Sequence, residues 1–295
     1  MSAYCTAPAS RPNTPFSVDS LRTGLAPLLT ACLLVLMTPA TSWAGIIPDS
    51  DAWERWRPAA PSALMTVDHS DWGSLLERYL TTDTSGINRF DYASVTATDR
   101  ARLDEYVGSL ASTPVSKLTA AQQQAYWINL YNALTVQLIL NNPGVSSIRK
   151  IKNGFFSIGP WGREIVEVNG VTLTLNDIEH RILRPLYLEP RVHFAVNCAS
   201  LGCPNLQRQP WRADTLEAQY DNAARQFIAH PRGVSISDNN VTLSSIFKWF
   251  QEDFGADRAA VLQWIAQYAP ADTAEMLRNH KGRVGYDYDW SLNAP

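Results

Sequence analysis

The run from Ala120 to Asn141 constrains this chain more than any other feature. Thr119 with Gln122 three residues on opens it as a capping box, and Pro143 stands just beyond its end. Between them Tyr126, Trp127, Leu130, Tyr131, Leu134, Leu138 and Ile139 place apolar groups on nearly every side. A helix without a polar stripe has no face to give to water, so it has to be central and buried. Asn129 and Asn132 lie three apart within it and are neighbours on its surface. A buried amide without partners costs about 1–3 kcal/mol. Each asparagine therefore either anchors adjacent loop backbone or lines a site, and both are kept as binding candidates.

Around this helix the periodicity is mixed. Ser70 reads as an N-cap, and Trp72, Leu75, Leu76, Tyr79 and Leu80 follow on one helical face. Leu103, Tyr106, Val107 and Leu110 mark a second amphipathic helix. Asn169-Gly170, between Glu164–Val168 and Val171–Leu173, is the signal of a two-residue type I′ hairpin. From Thr174, with Asp177 three residues on, a helix carries Glu179, His180, Arg181 and Arg184, and Pro185 is expected to close it. Arg191–Asn197 alternates as a strand, which would place Arg191, His193 and Asn197 on one face. Helical spacing resumes over 213–229, followed by a hairpin of Val234–Ser237 with Val241–Leu243 and a helix capped by Ser245. The tail Val284, Tyr286, Tyr288, Trp290 alternates like a strand docking on the sheet. Helices outnumber strands, and both hairpins and helices separate the strands. The fold class is α+β: a single domain, mostly helical, with a small antiparallel or mixed sheet and a central buried helix. No glycine-rich strand-to-helix turn offers a nucleotide cradle.

The N-terminus has the pattern of an export signal. Arg11 and Arg22 precede an apolar stretch from Leu25 to Met37, and Ser42-Trp43-Ala44 fits a small-x-small cleavage site. Residues 1–44 are thus expected to be a signal peptide, 45–67 a proline-marked linker, and 68–295 the domain, located in the periplasm or secreted. Leu29-Thr30-Ala31-Cys32 offers a competing lipobox. No later segment is apolar for the length a membrane span needs, so no integral span is expected after cleavage. Without residues 1–44 the chain loses Arg11, Arg22 and Asp19, leaving 23 basic and 27 acidic residues. A weakly acidic chain without basic runs is a poor partner for nucleic acid. The expected partner is instead an unidentified small molecule or protein.

The segment Arg191 to Pro204 carries the densest chemistry. Cys198 and Cys203 are the only cysteines beyond the expected leader. They can form one disulfide if the loop brings their Cα atoms to about 5.5–6 Å, or remain as buried thiols. A third reading makes Cys198 a nucleophile with His193 as base and Glu179 or Asn197 orienting the imidazole. A metal site from His180, His193, Cys198 and Cys203 lacks usual ligand spacing, and no metal or cofactor is expected. Glu179 and His180 with Arg184 and Arg191 form either a site for an anionic or amide-containing substrate or a buried ionic network that positions the helix.

Five blocks in order resemble the domain-of-unknown-function family DUF547. They are Ala125–Leu134 (AYWINLYNAL), Leu175–Arg184 (LNDIEHRILR), Arg191–Pro204 (RVHFAVNCASLGCP), Leu243–Phe254 (LSSIFKWFQEDF) and Tyr288–Asn293 (YDWSLN). Tyr126 stands where the family usually has Phe, and Gly202 where serine is common. The resemblance spans roughly residues 70–293. It implies a bacterial exported protein and no established activity. It also implies that the two-cysteine pattern occurs in intracellular plant members, where thiols stay reduced, so the cysteines need not exist only for a disulfide. Two functional readings follow. One is a non-catalytic binding or interaction domain built on the Glu179, His180, His193 and Cys198 cluster with Asn129, Asn132, Arg191 and Asn197. The other is a thiol-dependent hydrolase or acyltransferase using Cys198, His193 and Glu179.

Overall fold

The computed structural model describes residues 52–60, 62, 65–152, 158–237 and 240–295. The expected signal peptide, with both its cleavage site and the alternative lipobox, lies outside these residues, as do the first positions of the linker. The helices are α1 (Ser70–Tyr79), α2 (Ala97–Ala111), α3 (Ala120–Leu140), α4 (Arg184–Tyr187), α5 (Leu216–Ala229), α6 (Ile246–Trp249), α7 (Gln251–Phe254), α8 (Arg258–Ile265) and α9 (Ala271–Asn279). The strands form two hairpins and one small mixed sheet. β1 (Leu80–Thr82) pairs with β2 (Asn88–Phe90), and β3 (Val166–Val168) pairs with β4 (Val171–Leu173), both antiparallel. β5 (Val234–Ser237) pairs antiparallel with β6 (Asn240–Ser244), and β6 pairs parallel with β7 (Val284–Asp287). The protein is α+β and mostly helical.

α3 is the axis of the core. The reciprocal capping box of Thr119 and Gln122 starts it, and Tyr126, Trp127, Ile128, Leu130 and Ala133 are fully buried. α2 packs along it, and so does the segment holding Glu179 and His180. Between β3 and β4, Asn169 (φ 46°) and Gly170 (φ 76°) make the two-residue left-handed turn that their identities announced. The described part of the proline-marked lead-in is docked: Trp56 is buried edge-on against Trp127, ring centroids 5.1 Å apart.

Two local expectations are corrected. Pro185 does not end its helix. The chain enters from Thr174, whose hydroxyl and Asp177 carboxylate cap each other. It then widens to i→i+5 bonding over Asp177–Leu183 and continues through α4. Proline lacks the N–H that would bond the carbonyl four residues back. That carbonyl, on Arg181, accepts instead from the backbone N–H of Trp53 in the docked lead-in. Such π segments recur at functional sites because they re-aim side chains, and here the widened turn holds Glu179 and His180.

The second correction is the strand over Arg191–Asn197. The residues form a 3₁₀ helix, Pro190–Phe194, and then an irregular descent to Cys198. Pro190 sits at the first helical turn, where its fixed φ fits, and the Glu189 carboxylate caps the Arg191 N–H at 2.9 Å. Val192, His193 and Phe194 are consecutive and all buried. Alternation therefore described no exposed face, and the local cap decided the conformation.

Candidate functional site

The π segment, the Cys198–Cys203 loop, α6 and the C-terminal tail meet around a cavity of about 320 Å³. Its walls are aromatic, from Trp161, Trp249, Phe250, Tyr288 and Trp290. Its polar groups include Tyr131, Arg149, Asn176, Glu179, His180, His193, Cys198 and Cys203. A mostly apolar hollow of this size with a few convergent polar groups is what small-molecule sites look like.

The His193 ring is buried and stacked on Phe250, centroids 4.0 Å apart at 17°. Its Nε2 lies 2.6 Å from Asp253 Oδ2, so it is Nε2–H that donates. Nδ1 faces Glu179 Oε1 at 3.7 Å, and the Tyr131 hydroxyl donates to the other Glu179 oxygen at 3.0 Å. Arg184, whose side chain is 2% exposed, grips Asp253 through Nε at 2.6 Å and reaches Glu252 at 2.7 Å. It also lies 3.3 Å from His180 Nδ1. A guanidinium can only donate, so that nitrogen accepts and the proton of His180 sits on Nε2. Burial pushes the His180 pKa below its ordinary value, and the nearby Arg184 acts in the same direction. Burial would raise Asp253, but the hydrogen bonds from His193 and Arg184 outweigh it and bring the carboxyl down to about 2.

The cysteine loop is built by backbone capture. Asn132 on α3 donates to the Ala195 carbonyl at 2.9 Å and accepts the Asn197 N–H at 2.8 Å. Asn197 in turn bonds the Pro204 carbonyl and the Ala199 N–H, both at 2.8 Å. Ala199 is left-handed (φ 57°), a conformation costly to a residue with a Cβ. The tail closes the loop: Asn293 N–H bonds Ala199, Leu201 N–H bonds Ser291, and Gly202 N–H bonds Asp289. A Cβ on Gly202 would stand 2.8 Å from the Asp289 nitrogen, so this chain has no room for the serine common in the resembling family.

Both cysteines are free thiols. Tyr288 Oη lies 3.2 Å from the Cys198 sulfur and 3.1 Å from that of Cys203. Ser200 Oγ is shared in the same way, at 3.2 and 3.5 Å. The Cys198 backbone N–H points only at Cys203 Sγ, at 3.1 Å. That fixed donor adds to the thiol and hydroxyl donors around Cys203 and favours the thiolate there over Cys198. Burial opposes the charge, but donors from Cys198, Ser200 and Tyr288 overcome it and bring Cys203 down to about 6. Cys198, as donor to its partner and buried, is held well above the ordinary thiol value.

Of the residues singled out in the sequence, Glu179, His180, His193 and Cys198 line the cavity together. Asn132 and Asn197 stand behind it as backbone staples. Asn129 lies elsewhere, clamping Trp211 through its carbonyl at 2.8 Å and its N–H at 3.0 Å. Arg191 is tied to Glu189, Glu217 and Asp221 and does not line the cavity. The nucleophile–base pairing of Cys198 with His193 is not made: the sulfur contacts Ser200 and Tyr288, and the imidazole contacts Asp253 and Glu179. Asp253, Tyr131, Tyr288 and the tryptophans went unnoticed as site residues. Asp253 and Tyr288 sit within the blocks LSSIFKWFQEDF and YDWSLN, whose density of aromatic and acidic residues was the available signal. Among the described residues no group of three or more His, Cys, Asp or Glu side chains is arranged to hold a metal ion.

The family model described as "Protein of unknown function, DUF547" matches residues 115–228. That span runs from the 3₁₀ turn Val115–Lys117 just before α3 through the π segment and the cysteine loop to the last turn of α5. No curated protein matches the chain, and no solved structure does. No helix among the described residues is long and apolar enough to cross a membrane.

Proposed function

We propose that this chain, which carries a DUF547 domain, is an exported protein that binds a small organic molecule in the aromatic-walled cavity. The observation that carries the reading is convergence. Side chains from α3, the π segment, the 3₁₀ helix and the cysteine loop, far apart in sequence, present Tyr131, Glu179, His180, His193 and Cys198 to one hollow. The walls suit a ligand with a flat apolar body, held by stacking on the tryptophans. The Glu179 carboxylate and the Nε2–H of His180 suit an amide or a comparable group with both a donor and an acceptor. Export rests on the leader-like residues 1–44 and places this binding in the periplasm or outside the cell. Binding is favoured over hydrolysis or acyl transfer by Cys198 because that chemistry needs an imidazole in reach of the sulfur, and His193 is committed to Asp253.

The test is thermal denaturation of the protein against a library of amide-bearing aromatic fragments, with Gly162→Trp as the control. Gly162 lies on the cavity wall, and a Cβ there meets only the Asn176 amide at 3.9 Å, so a large side chain fills space without displacing backbone. A fragment at roughly ten times its Kd stabilises by about 1.4 kcal/mol, which is about 3–6 °C in Tm for a domain of this size. Hits on the parent protein that vanish in Gly162→Trp are the expected result. A library without hits, or hits that Gly162→Trp retains, sinks the proposal.

A further inference from the structure

We propose that Cys198 and Cys203 are a reversible dithiol that exchanges with low-molecular-weight disulfides entering the cavity. Four observations converge on it. Both sulfurs are free and share the same two hydroxyls, Tyr288 Oη and Ser200 Oγ, so they already sit side by side. Both line the cavity, Cys198 partly exposed and Cys203 buried behind it. The loop between them is held in a costly left-handed turn at Ala199, which brings the two ends together. Finally, Arg232 lies behind the loop, part-buried, bonded to the Leu201 carbonyl and the Asn205 amide oxygen. It has no carboxylate within ion-pair distance among the described residues, and its charge favours a thiolate at Cys203.

The reaction balances as two displacements. The Cys198 thiol gives its proton to the Cys203 thiolate along their contact. The Cys198 thiolate attacks one sulfur of RSSR, the S–S bond breaks, and RS⁻ leaves, taking the proton back from Cys203. The Cys203 thiolate then attacks Cys198 Sγ in the mixed disulfide, forming the Cys198–Cys203 bond and expelling the second RS⁻. The protein loses two electrons and the organic disulfide gains them. The low pKa of Cys203 keeps one proton off the pair near neutral pH, which is the state that reacts. This activity shares the cavity with the binding proposal but not its outcome, because it is read on the thiols and needs no bound fragment.

The experiment incubates the purified protein with 2-hydroxyethyl disulfide, quenches in acid, alkylates, and maps Cys198 and Cys203 by peptide mass. Both thiols should disappear together as an intramolecular disulfide and return with dithiothreitol. Cys203→Ser should trap 2-mercaptoethanol on Cys198. Tyr288→Phe, which removes the shared hydroxyl and keeps the ring, should slow exchange at about pH 5 by roughly threefold to tenfold, as a thiolate pKa raised by one unit does below that pKa, and should change it by less than about twofold near neutral pH. The proposal is overturned if the pair stays reduced in excess disulfide, if only intermolecular bridges form, or if Cys203→Ser traps nothing while its thermal unfolding matches the parent.

Discussion

Asp253→Ala is expected to lower stability by about 3–5 kcal/mol, the usual result of removing one partner from a buried ionic group. Asp253 is the one acceptor that serves both Arg184 through Nε and His193 through Nε2, at 2.6 Å each. The Arg184 side chain is 2% exposed and that of His193 1%, so neither can turn to water when the carboxylate goes. Glu252 cannot substitute: it is largely exposed and touches only the outer Arg184 nitrogen. The Phe250 ring, stacked on His193, would lose its fixed partner as well. Asp253→Asn keeps the shape and one acceptor but removes the charge, so its cost should be smaller. The pH dependence has a definite sign. The folded pKa, about 2, lies below the ordinary carboxylate value, so the carboxylate binds its proton less readily in the folded state. The stabilisation is fully present above about pH 4 and is lost as pH falls through about 2. Urea unfolding followed at pH 7 and at pH 2–4 measures both effects: the gap between parent and Asp253→Asn should narrow as the acid end is approached. A gap constant across that range would show that the His193–Asp253–Arg184 chain does not hold the carboxylate as described.

Asn132→Ala is expected to cost about 2–6 kcal/mol, from two buried backbone groups left unpaired at about 1–3 kcal/mol each. The Ala195 carbonyl and the Asn197 N–H flank the descent from the 3₁₀ helix to Cys198, and the Asn132 amide answers both. Asn132→Asp separates hydrogen bonding from packing, because a carboxylate can still accept from Asn197 but has no N–H for Ala195. It should be no better than Ala despite its nearly identical volume. Guanidinium unfolding at constant m is the measurement. Since the clamp sets the position of Cys198, both variants should also alter the relative alkylation of Cys198 and Cys203, whereas Asn129→Ala, which releases only Trp211, should lower stability without changing it.

Long-range composition was legible where one signal dominated. The apolar run of α3 demanded a central helix, and Asn169-Gly170 demanded a left-handed turn, because few residues tolerate φ above zero at both positions. Glu179, His180, His193 and Cys198 could be named because titratable and thiol side chains are sparse in otherwise apolar segments. Their arrangement could not. Alternation at Arg191–Asn197 looked like a strand, yet burial on all sides removes the two-faced pattern on which that reading depends, and Glu189 with Pro190 tips the segment into a 3₁₀ turn. The stop at Pro185 failed for a non-local reason, since the orphaned Arg181 carbonyl is satisfied by Trp53, more than a hundred residues earlier. Asp253 and Tyr288 reach the cavity from α7 and the tail, and no spacing within Arg191–Pro204 pointed to either. Cys203, rather than Cys198, carries the lowered pKa because Cys198, Ser200, Tyr288 and one backbone N–H all turn donors toward it, an arrangement that only the folded loop makes.

The most direct test of the cavity as the functional site is a crystallographic fragment soak of the purified protein. The account predicts fragments bound in the cavity against the walls formed by Trp249 and Trp290, with a polar atom within hydrogen-bond distance of Glu179 or of His180 Nε2. Fragments that bind only elsewhere on the surface, with the cavity left to solvent throughout the library, would contradict it.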